Sequence, residues 1–175
     1  MNKIFLLVIG VFSLMSCKEE KEESKPVEKE IKNNFTLTVN AVVEKDDVFQ
    51  LFYNEDDSSV FPDEQSLLVT FKGSPNAQDI VFELPEHVTP KKFRFDVGSN
   101  STQKVIKINN LNIKYLEKNF DIKKAEFKDY FYPINQLELD STSLDYKVVY
   151  KQGDPFDPIL LGTDKMEKLT KTFFN

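Results

Sequence analysis

From residue 34 onward the chain takes on a period of two. Phe35, Leu37, Val39, Ala41 and Val43 alternate with Thr36, Thr38, Asn40, Val42 and Glu44. That spacing sends one set of side chains to each face of a β-strand. An apolar face needs a packed layer over it, while the polar face stays wet. Further stretches repeat the pattern. Val48 to Tyr53 sets Phe49, Leu51 and Tyr53 on one face and Gln50 and Phe52 on the other. Ser66 to Lys72 is a third strand. Asp79 to Leu84 turns Ile80, Phe82 and Leu84 inward, and Lys91 to Val97 turns Phe93, Phe95 and Val97 inward with Lys92, Arg94 and Asp96 outward. Lys104 to Ile108 and Leu111 to Leu116 follow, either as two strands or as one bent strand broken at Asn109-Asn110, and Gln136 to Asp140 and Leu144 to Gln152 are two more candidates.

Asp46-Asp47, Gly73-Ser74-Pro75-Asn76 and Gly98-Ser99-Asn100 provide turns. Asn119 to Tyr132 fits neither period, and a short helical turn is one reading of it. Asp154-Pro155 and Asp157-Pro158 impose extended, turning backbone. Asp164, with Glu167 three residues on, has the spacing of a capping box for a last helix whose inner face carries Met166, Leu169 and Phe173. Many short strands joined by turn signals predict an all-β fold: an antiparallel, jelly-roll-like β-sandwich with a short C-terminal helix.

The N-terminus has a different character. Lys3 precedes an apolar run, Ile4 to Met15, and small Ser16 precedes Cys17, the only cysteine. The run is about 12 residues, against roughly 20 for a bilayer-spanning helix, so it reads as a cleaved export signal over 1–16. Leu14-Met15-Ser16-Cys17 resembles the bacterial lipobox. That resemblance implies a Cys17 thiol that receives a diacylglyceryl group and becomes the acylated first residue of the mature chain. Lys18-Glu19-Glu20 beside it resembles the surface-export signal of Bacteroidota lipoproteins. The resemblance implies an outer-membrane, lipid-anchored and surface-exposed protein, with the inner leaflet as the alternative. Residues 17–33 are rich in Glu, Lys, Ser and Pro and bury too little to order themselves, so they are expected to form a disordered tether. The folded domain is expected over 34–175.

A domain of about 140 residues can bury a core without cross-links, and a single cysteine allows no disulfide within the chain. The net charge of −6 and the single arginine argue against nucleic acid, whose phosphates need clustered cations. Sixteen Phe and no Trp point to a core filled with phenyl rings.

Candidate chemistry is sparse. His87, the only histidine, lies in a connection beside Glu86, and no Gly-x-Ser-x-Gly turn presents a nucleophile. Zinc has no Cys/His set. The acidic loop holding Asp56 and Asp57, with Asp63 and Glu64, offers oxygen donors of the kind calcium takes, as do Asp46 and Asp47, without EF-hand spacing. No catalytic residue, cofactor or resident metal is expected. The outward pair Arg94 and Asp96 can grip hydroxyls or an acidic group, or can form a salt bridge. Gln50, Tyr53 and Tyr115 would join them if their strands are neighbours. Asp140-Ser141-Thr142 resembles the Bacteroidota O-glycosylation motif, and Asn100-Ser101-Thr102 reads as a turn.

Phe49-Gln50-Leu51-Phe52-Tyr53, Phe82-Glu83-Leu84-Pro85, Phe93-Arg94-Phe95-Asp96 and Leu111-Asn112-Ile113 are similar in order to extracytoplasmic β-sandwich segments of bacterial surface-glycan membrane proteins. Those resemble carbohydrate-binding jelly rolls. The expectation is a non-catalytic binding module, with glycan as the ligand. The alternative is an assembly lipoprotein that meets an envelope protein, and a hydrolase comes third.

Overall fold

The computed structural model describes residues 33–174. The export signal, Cys17 and all of the tether before residue 33 lie outside them. In chain order the elements are β1 (Thr36–Val43), β2 (Asp47–Asn54), a 3-10 turn (Asp63–Gln65), β3 (Ser66–Phe71), β4 (Gln78–Glu83), β5 (Lys92–Asp96) and β6 (Val105–Tyr115). There follow β7 (Lys118–Lys123), α1 (Lys124–Tyr130), β8 (Phe131–Asn135), β9 (Leu137–Leu139), β10 (Tyr146–Val148), β11 (Ile159–Gly162) and α2 (Asp164–Phe173).

The strands form two antiparallel sheets, packed face to face as expected for a sandwich. Sheet A runs β4-β1-β6-β10-β9, with β7 also on β6; sheet B runs β3-β2-β5-β11-β8. The alternation of β1 is reproduced residue by residue, with Leu37, Val39, Ala41 and Val43 buried and the residues between them partly exposed. Phe95 joins the two layers. Its ring meets Phe49 of its own sheet edge-on at 5.4 Å and Phe82 of sheet A at 5.5 Å. Phe35 closes one end of the sandwich against Phe173 on α2 and Phe93 on β5.

Four details differ from the sequence reading. The ambiguous stretch 119–132 resolves into β7, α1 and the start of β8. β11, an inner strand of sheet B, gave no periodic signal, because Ile159 and Leu160 are both buried and the strand is four residues long. Pro133 sits in β8, where an edge position tolerates its missing N–H. Helix α2 is capped by Thr163, whose hydroxyl accepts from the Met166 N–H, so Asp164 is the first helical residue rather than the cap.

Candidate functional site

The outward residues of β5 lie at the centre of sheet B. Register places Phe52, Arg94 and Leu161 in one row across β2, β5 and β11, continued by Ser66 on β3 and Tyr132 on β8. The next row carries Leu68, Gln50, Asp96 and Ile159. With strands about 4.8 Å apart, a row of five spans roughly 19 Å.

Arg94 and Asp96 form an ion pair along one strand, not across two. Arg94 Nε donates to Asp96 Oδ1 at 2.8 Å and Arg94 Nη2 to Oδ2 at 2.6 Å. A second carboxylate, Asp157 in the β10–β11 connection, lies 3.6 Å from Nη2. The guanidinium lies over the Phe52 ring, 4.8 Å from its centroid. That lid explains why Phe52, on the outer face, is only 4% exposed. The Asp96 side chain is itself 14% exposed. Burial pushes its carboxyl up to about 6, against the opposing pull of Arg94, and the nearby Asp157 charge adds to the rise.

Of the three residues expected to join this pair, the structure brings only Gln50. It lies directly opposite Asp96, with its amide donating to the Ser66 hydroxyl at 2.9 Å. Tyr53 is turned into the core at 5% exposure, because it is in register with inward-facing Phe93. Tyr115 belongs to the other sheet, where it packs against Phe35 and Phe174. Neither reaches the Arg94 face.

The acidic candidates have structural partners. The Asp56 carboxylate accepts the Ser58 N–H, and that of Asp57 lies 3.8 Å from Lys91. Asp46 pairs with Lys72 and accepts the Gly73 N–H, which holds its carboxyl below the usual carboxylate range. Asp47 is 4% exposed. Its Oδ1 accepts from the N–H groups of Val48, Ser99 and Asn100, tying the β5–β6 turn to the start of β2. Among the described residues no three His, Cys, Asp or Glu side chains gather as a metal-binding group. His87 is exposed in its connection at φ 68°. In Asp140-Ser141-Thr142 the carboxylate of Asp140 caps the Thr142 and Ser143 N–H groups and pairs with Lys147 at 2.6 Å, which lowers its pKa strongly. Asn100 Oδ1 accepts from Thr102 in the expected turn.

No family model matches this chain, and neither curated proteins nor solved structures yield a match. The two outer faces of the sandwich must therefore speak for themselves, and they differ. Sheet B exposes Leu68 at 65%, Tyr132 at 42% and Ile134 at 50% around the covered Phe52. The outer face of sheet A is mostly Thr, Asn, Asp and Lys, with Val81 on β4 exposed at 45% among them. The sequence signalled sheet B's centre through the Arg94 and Asp96 alternation. It could not signal the row, because β11 and β8 were not legible as neighbours.

Proposed function

We propose that this chain is a membrane-anchored, non-catalytic binding module whose partner is a protein docked on the outer face of sheet B. The contrast between the two outer faces carries the reading. One face has the composition of a solvated antiparallel sheet. The other carries exposed aliphatic groups together with Tyr132 and the half-buried Arg94, and aromatic residues and Arg are enriched at interface centres. Arg94 is held in plane by Asp96 and backed by Phe52, so its grip on a sugar hydroxyl would have to break bonds already made. Tyr132 is the only exposed ring in the two central rows of that face, which leaves little for a sugar to stack on. The anchor itself rests on the Leu14–Cys17 motif, and acyl chains there would hold the domain at a membrane through about 0.8 kcal/mol per buried methylene.

The test is isolation of the full-length protein from its native membrane, followed by cross-linking. A stoichiometric protein partner, lost in Leu68→Asp and Ile134→Asp, is the expected result. Glycan binding lost in Arg94→Ala, with no protein partner, would overturn the assignment of ligand class. The anchor has its own check: Cys17→Ala should move the protein from the membrane fraction to the soluble one.

A further inference from the structure

We propose that the outer face of sheet A is a second site, a platform for neutral carbohydrate built on the amides of Asn40, Asn109, Asn110, Asn112 and Asn119. It is independent of the partner reading for sheet B and lies on the opposite side of the sandwich.

The platform is organised by a β-bulge. Asn40 on β1 pairs with Asn110 on β6, but Ala41 pairs with Ile108, so Asn109 is an extra residue in the central strand. Asn110 faces outward opposite Asn40. Asn109 reaches the same face, since its Nδ2 donates to Asn40 Oδ1 at 2.9 Å. A strand that alternates strictly cannot turn two consecutive side chains to one face; the bulge does so. The relay continues from Asn40 Nδ2 to Asp79 Oδ1 on β4 at 2.6 Å. One row along, Asn112 Nδ2 donates to Asn119 Oδ1 at 2.6 Å and to Asp121 Oδ1 at 2.7 Å on β7.

Four adjoining strands thus hold two hydrogen-bonded groups, one of Asn109, Asn40 and Asp79 and one of Asn112, Asn119 and Asp121, with the Asn110 amide between them. Asparagine is a poor strand former, and a merely wet face is served as well by Thr or Lys. Five of them around a bulge break the local preference without contributing to the core, a pattern expected at functional positions. The network leaves bonding groups unused. Among the described residues, nothing bonds the Asn110 amide, Asn112 Oδ1, Asn119 Nδ2 or the Thr38 hydroxyl. The free Asn112 Oδ1 and Asn119 Nδ2 belong to amides already held by hydrogen bonds, so an acceptor and a donor can meet the paired hydroxyls of a sugar with little loss of entropy. Val81 is the exposed large apolar side chain beside these amides, too little for the apolar centre of a protein interface. The outward cations of these strands, Lys107, Lys114 and Lys123, are matched in number by the outward acids Asp79, Glu83 and Asp121, so the face does not select a polyanion. With no aromatic ring to stack on, each contact is weak, and binding gains from a repeating polymer.

The full-length protein in mild detergent can be run through native gels containing starch, mannan, β-glucan or heparin. At least one neutral polysaccharide should retard it, and heparin should not. The double variant Asn110→Thr/Asn112→Thr should need at least tenfold more polysaccharide for the same retardation. It should melt at or above the parent temperature, because Thr is the better strand former. Exposed Asn119→Ala on edge strand β7 provides a second, milder variant that should weaken retardation in the same direction. Arg94→Ala should leave retardation intact. The proposal is overturned if no neutral polysaccharide retards the protein, if retardation occurs with heparin alone, or if both asparagine variants run like the parent.

Discussion

Asp47→Ala should destabilise the sandwich more than any other change to its acidic turns. The carboxylate is 4% exposed, and its Oδ1 accepts three backbone N–H groups, from Ser99 at 2.7 Å, Val48 at 2.9 Å and Asn100 at 3.0 Å. Its Oδ2 has no partner, and it sits so close to Gly98 that a Cβ there would come within 2.8 Å of it. Gly98 has φ 133°, so the turn geometry and the missing side chain serve the same contact. A hydrogen bond to a charged group contributes about 1.5–3 kcal/mol net. Ser99 is exposed, so its N–H regains water once the carboxylate is gone, and burial of the unpartnered Oδ2 already offsets part of the gain. The balance is a loss of about 3 kcal/mol. For roughly 140 ordered residues the unfolding entropy is about 0.3 kcal/mol/K, so the melting temperature should fall by about 10 °C. Asp47→Asn, which keeps one acceptor but no charge, should fall about half as far. Calorimetry with and without excess EDTA is the assay. An Ala variant melting within about 2 °C of the parent, or a parent that loses stability in EDTA, would refute the view of Asp47 as a backbone staple.

Two further outcomes follow from local geometry. Asp96 titrates at about 6 in the folded protein and near 3.8 when unfolded, so the folded state holds its proton more tightly. Stability should therefore decline as pH rises from about 4 to 6, by at most about 3 kcal/mol at 1.36 kcal/mol per unit. Asp96→Asn should flatten that slope in urea melts at pH 4.5 and 7 (roughly the ends of the window); an unchanged slope counts against the assignment. Thr163→Ala removes the hydroxyl that accepts the Met166 N–H. It should lower stability by about 1 kcal/mol, or about 3 °C, measured by circular dichroism, with no loss if α2 is capped otherwise.

Most of the fold was legible because strand alternation is a local signal. β1, β4 and β5 each bury one face, and residues two apart report it without reference to any partner. The segments that were not legible are those in which tertiary packing overrides the period. β11 is buried on both sides, and the 119–132 stretch changes from strand to helix and back within a few residues. The site divides in the same way. The sequence placed Arg94 and Asp96 on one face of one strand, and Gln50 proved to be their cross-strand neighbour. Tyr53 was already on the inward parity of β2, and only the position of Tyr115 in the other sheet excluded that residue from the cluster.

The chain by itself determined which side chains face inward, because parity along a strand is a property of the backbone and needs no neighbour. It also wrote Leu14-Met15-Ser16-Cys17, the four consecutive residues on which the proposed anchor rests. Only the tertiary structure decided which strands lie side by side. From that came the guanidinium resting on Phe52, the carboxylate knitting two distant turns, and the bulge that sets Asn109 and Asn110 of β6 beside Asn40 of β1. Register across strands far apart in sequence is set by closing long loops over a shared core, and no local pattern encodes it.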